Sequence, residues 1–83
     1  MELDELVDRV PEGWTPVRYD GRRYGLTRRT HTAGRSVTVL AEELGGQDLV
    51  SGNVYRTHEG WLLRPCEMPA EKVLAFLRGW RPG

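Results

Sequence analysis

The sequence predicts an α+β fold of two layers, in which an antiparallel sheet of four to five strands in meander order is flanked by an N-terminal and a C-terminal helix. Three observations carry that prediction. Apolar and polar side chains alternate from Val37 to Met68 through one run after another, the twofold period of strands. Asp20-Gly21 stands between two β-prone runs, the pair that closes a two-residue hairpin. Apolar residues recur at helical spacing near both ends of the chain.

Leu3, Leu6, Val7 and Val10 fall on one stripe of a first helix, whose acidic residues favour the positive end of the helix dipole. Pro11 disfavours helical backbone at Val10, and Glu12-Gly13 completes the stop. Val17-Arg18-Tyr19 and Arg22-Arg23-Tyr24 flank the Asp20-Gly21 turn, and the returning strand runs Arg23 to Thr30 with Tyr24 and Leu26 on one face. Thr32-Ala33-Gly34 reverses the chain. Arg35 to Leu44 then alternates Val37, Val39 and Ala41 against Thr38, Leu40 and Leu44, so both faces carry apolar residues and a central strand covered on both sides is expected. Ala41 to Leu44 favours a helical ending to that strand.

Gly45 to Asp48 is a loop, Leu49 to Thr57 a strand, and His58-Glu59-Gly60 the turn onto Trp61 to Arg64. Gly52 marks a bulge or a close backbone approach. After Pro69, residues Ala70, Val73, Leu74 and Leu77 line the second helix with Phe76 flanking the stripe; Gly79 ends it, and Trp80 folds back on Leu74 or Ala75.

At 83 residues the chain reads as one domain, 1–83, able to hide only about 60 to 65% of its unfolded surface. Twelve basic and twelve acidic residues cancel, so no global field draws in nucleic acid or an anionic membrane. Residues 1 to 12 carry Glu2, Asp4, Glu5 and Asp8 without a basic leader, and no apolar run reaches the roughly 18 residues of a membrane span. A cytoplasmic protein without a membrane role is expected. The lone Cys66 excludes an internal disulfide.

Cys66 lies just before the second helix, where free backbone N–H groups could favour a thiolate; a buried small hydrophobe is the plainer reading. A Cys-His hydrolase would need His31 or His58 beside it in space, and neither these residues nor any spacing indicates a metal or other cofactor. Arg22, Arg23, Arg28, Arg29 and Arg35, with Arg18, make a local positive field around the first hairpin that could hold nucleic acid or another anion. Alternation spreads them over both faces, and exposed charge also keeps strand edges from pairing with other chains. Tyr55, Trp61 and Leu40 are candidate interface residues, if they face away from the helices.

Tyr24-Gly25-Leu26-Thr27, Ala41-Glu42-Glu43-Leu44-Gly45-Gly46, Ser51, Asn53-Val54-Tyr55 and Leu63-Arg64-Pro65-Cys66-Glu67-Met68-Pro69 together resemble a group of small uncharacterised bacterial proteins. Some of that group carry the label peptide methionine sulfoxide reductase. The Gly-Cys-Phe-Trp motif of one reductase class is absent here, so the resemblance implies no catalytic residue. The element order is also similar in outline to double-stranded RNA-binding domains, although Glu67 and Glu71 stand where those domains are basic. The expectation is a non-enzymatic binding module, self-associating as a homodimer or meeting another protein through the bare sheet face. Anion binding by the first hairpin and thiol redox chemistry at Cys66 are the alternatives.

Overall fold

The computed structural model describes residues 3–83, so Glu2, counted above with the first helix, lies outside the described residues. Along the chain come α1 (Leu3–Asp8), β1 (Gly13–Tyr19), β2 (Arg22–His31), a 3-10 turn (Thr32–Gly34), β3 (Ser36–Glu43), β4 (Leu49–Thr57), β5 (Gly60–Pro65), α2 (Ala70–Gly79) and β6 (Arg81–Pro82). The strands form one antiparallel sheet in the order β5-β4-β3-β2-β1-β6, flanked by the two helices in an α+β arrangement.

The sheet has six strands rather than four or five. Arg81 and Pro82 pair with Arg18 and Val17, and two residues are too few to show any alternation. Since β5 and β6 are the opposite edges, α2 carries the chain from one side of the sheet to the other. The first hairpin follows its turn chemistry: Asp20 and Gly21 have φ of 52° and 75°, the left-handed pair that suits a twisted two-residue loop. Register continues unbroken across β1 to β5, so Gly52 makes no bulge. It permits a close approach instead, since a Cβ there would lie 3.2 Å from the Arg64 carbonyl oxygen.

Unbroken register means that cross-strand neighbours share a face. Val17, Tyr24, Leu26, Val37, Val39, Ala41, Val50 and Val54 therefore all point to one side, where Leu6, Val7 and Val10 meet them with Val73, Phe76, Leu77 and Trp80. Three expectations about this core need correction. Phe76 belongs to the buried stripe of α2, while Ala70 is exposed. β3 is central but covered on one side only: Leu40 is half-buried and Leu44 exposed. Nor does β3 end in a helical turn, because the Glu43 N–H donates across to the Asp48 carbonyl at 2.9 Å and keeps the backbone extended.

Each helix is too short to persist alone, and each ends on an arginine from elsewhere in the chain. Arg28 of β2 donates from Nη1 to the carbonyls of Val7 and Val10, at 2.9 and 3.0 Å, below α1. Arg9 donates to the carbonyls of Leu77 and Trp80 at the end of α2, with its guanidinium 5.1 Å from the Trp80 ring centre. A cation at a helix C-terminus opposes the negative end of the dipole.

A second cross-link joins sheet, loop and helix. The Tyr24 hydroxyl donates to Asp48 Oδ2 at 2.6 Å, and Lys72 Nζ on α2 donates to Oδ1 at 2.8 Å. Burial, reinforced by the Asp48 carboxylate, pushes the Tyr24 hydroxyl up to about 12. The hydrogen bond from Lys72, then that from Tyr24, holds Asp48 below its usual value. A carboxyl depressed in the folded state contributes stability above its unfolded pKa of roughly 3.9, and loses it as pH falls through the folded value. Asp48→Asn should cost about 1–2 kcal/mol at neutral pH and almost nothing once Asp48 is protonated in both states. Urea melts at neutral and strongly acidic pH measure the difference; an equal cost at both would assign the effect to packing.

Candidate functional site

Both helices lie on one side of the sheet, so its other side is the broadest surface that no described element covers. Side-chain parity from the register lays out its contents in rows. Arg81, Arg18 and Arg23 stand abreast on β6, β1 and β2. Next come Pro16, Gly25, Glu42 and Leu49, then Trp14, Thr27, Leu40 and Ser51. Arg29, Thr38, Asn53 and Arg64 follow, and His31, Ser36, Tyr55 and Leu62 finish the face.

Two features stand out in that layout. The face carries five arginines against the one acidic residue Glu42, whereas seven of the twelve basic and eleven of the twelve acidic residues lie elsewhere in the chain. Arg18, Arg23 and Arg81 are exposed, and none has an acidic partner within ion-pair distance among the described residues. The second feature is aromatic. Trp14, 60% exposed, rests its indole over Gly25, where an added Cβ would fall 2.5 Å from Nε1. A side chain at position 25 would lift the ring from the sheet.

The structure divides the arginines singled out by sequence. Arg23 and Arg29 are on the open face. Arg28 is on the helix side, holding α1 and standing 3.5 Å from Glu12, and Arg22 is on that side too, 3.8 Å from Glu43. Arg35 is exposed just before β3. Arg18, part of the same local positive field, joins them on the open face, and Arg64, Arg81 and Trp14 complete it without having been anion candidates. Counting alternate residues from Tyr24 would have found Arg23 and Arg29 on the bare side, but nothing in the sequence places Arg81 beside Arg18.

Tyr55 and Leu40 lie on the open face, and Tyr55 is directly opposite Leu62. Trp61 does not. It is on the helix side, half-buried against the edge of the core, because its partner in register, Arg56, shares parity with Val54. Cys66 is exposed, which corrects the expectation of a buried thiol; its N–H donates to the Ser51 carbonyl at 3.1 Å. That bond puts it at the end of the β4–β5 hairpin remote from His58, about 20 Å away at strand spacing. His31 is 3.2 Å from Thr38 Oγ1, three strands and several rows from Cys66. Among the described residues, no three metal-ligating side chains cluster and no helix is long and apolar enough to cross a membrane. No family model, curated protein or solved structure matches the chain.

Proposed function

We propose that the chain is a non-enzymatic binding module that holds an anionic partner on the open face of its sheet. Segregation of charge supports this reading: a protein with no net charge presents five arginines and one glutamate on its bare side. Like charges directly opposite one another on a sheet are destabilising, so the row Arg81–Arg18–Arg23 carries a standing cost that an anion would relieve. Protection of a sheet edge does not account for Arg23, which faces Arg18 on one side and accepts a hydrogen bond from the Leu44 N–H on the other. The guanidinium fork matches phosphate and carboxylate oxygens in pairs. Thiol chemistry at Cys66 finds less support, since neither histidine lies within reach to act as its base.

Self-association through the same face is a second reading, supported by the exposed pair Tyr55 and Leu62 at the β4–β5 edge. Two copies stacked there would bring their arginines into one desolvated layer, a repulsion that favours an anionic partner instead.

Amide shifts recorded during addition of inorganic polyphosphate at low ionic strength test the proposal. Movements centred on Arg18, Arg23 and Arg81, fading as salt is raised, are expected. An unmoved open face would overturn it, and light scattering on the free protein showing a strict monomer at high micromolar concentration would remove the second reading.

A further inference from the structure

We infer that the anionic partner is a single-stranded nucleic acid, with one base stacked on Trp14 and its phosphates on the row Arg81–Arg18–Arg23. This inference rests on the anion-binding reading of the same face. An arginine row alone would accept any polyanion; the indole beside it narrows the chemistry. Trp14 lies over Gly25, and Gly25 is two residues from Arg23 along β2, about 7 Å at strand rise. An aromatic plane and a phosphate site are thus offered side by side, as the base and phosphate of one nucleotide require. Gly25 is what makes room for the ring, since any larger residue collides with it.

The rest of the face extends the track. Arg29 and Arg64 flank Thr38 and Asn53 in a row about 20 Å from Arg23 along the strands, a span of several nucleotides. Thr27, Ser51 and Asn53, with carbonyl and hydroxyl groups between the charges, can meet base edges without demanding one sequence. A duplex suits this surface poorly, because its bases are stacked inside and their faces cannot reach an indole held on a flat sheet. A single strand exposes those faces.

The experiment compares a labelled ten-nucleotide thymidine strand, a duplex of equal charge and inorganic polyphosphate of equal charge. Anisotropy reports binding and tryptophan fluorescence reports stacking. The single strand should bind most tightly and quench Trp14 emission, with the logarithm of its affinity falling by about 2 per decade of salt for three phosphates neutralised. Trp14→Ala should weaken the single strand about tenfold, the order expected for one lost base stack, while leaving polyphosphate binding unchanged; Trp14→Phe should recover most of it. Arg18→Ala should weaken both ligands and reduce the salt slope by about 0.7. Because Trp14 and Arg18 are exposed, neither change removes core. Equal affinity for all three polyanions, or indifference of the single strand to Trp14→Ala, would overturn the nucleic-acid inference and leave the anion reading standing. Failure of all three to bind would overturn both.

Discussion

Phe76→Ala will lower the free energy of unfolding by about 3–5 kcal/mol, a large part of what a domain this size possesses. Phe76 is fully buried and its ring centre lies 4.8 Å from that of Tyr19 and 5.2 Å from that of Tyr24, the latter nearly edge-on. Truncation removes both aromatic contacts and opens a void against Leu26, Val39, Ala41, Val50, Val73 and Leu77. The sheet beneath cannot collapse into that void without breaking register, so the cavity term adds to the lost transfer energy. Leu74→Ala, at a half-buried position on the same helix, should cost much less. Urea denaturation followed by circular dichroism measures both, and a loss below about 1 kcal/mol for Phe76→Ala would show that the site relaxes as the packing says it cannot.

Arg28→Ala should destabilise by about 2–3 kcal/mol and do so chiefly at α1. The guanidinium is the only described side chain seen donating to the Val7 and Val10 carbonyls, and the same residue meets Glu12, which in turn accepts hydrogen bonds from the Thr30 hydroxyl and N–H at 2.6 and 3.1 Å. Without it, two carbonyls at the end of a six-residue helix lose their charged donor. Hydrogen exchange should quicken at Leu6, Val7 and Val10 before it does so in β2 to β4. Arg28→Lys should restore less than half, because an ammonium lacks the rigid fork. Unchanged exchange at those amides would place the stability of α1 wholly in its apolar packing.

The two arginines that flank Tyr24-Gly25-Leu26-Thr27 show how far the residues themselves could be read. Arg23 and Arg28 look alike in sequence, both basic and both on one strand. Parity separates them, since five positions put them on opposite faces, and that much could be counted by hand. Their roles could not. Whether Arg28 meets phosphate or a helix end depends on where α1 packs, a contact between residues 18 or more positions apart. Trp61 shows the reverse case, an aromatic that sequence offers as an interface anchor and parity assigns to the edge of the core. Trp14 carried no periodic signal, because it stands one residue into its strand and its seat is a glycine on the neighbouring one.

Local pattern was enough to specify the helices at either end, five of the strands, the Asp20-Gly21 hairpin and most of the core, because each depends on near neighbours along the chain: dihedral preference, the twofold or 3.6-residue period, and caps. The sixth strand, the arginine row it completes, the partnership of Arg28 and Arg9 with helix ends, and the Tyr24–Asp48–Lys72 link arose only once the chain had folded. Each joins residues distant in sequence, and a side chain's period along its own strand says which way it faces but not what it will find there.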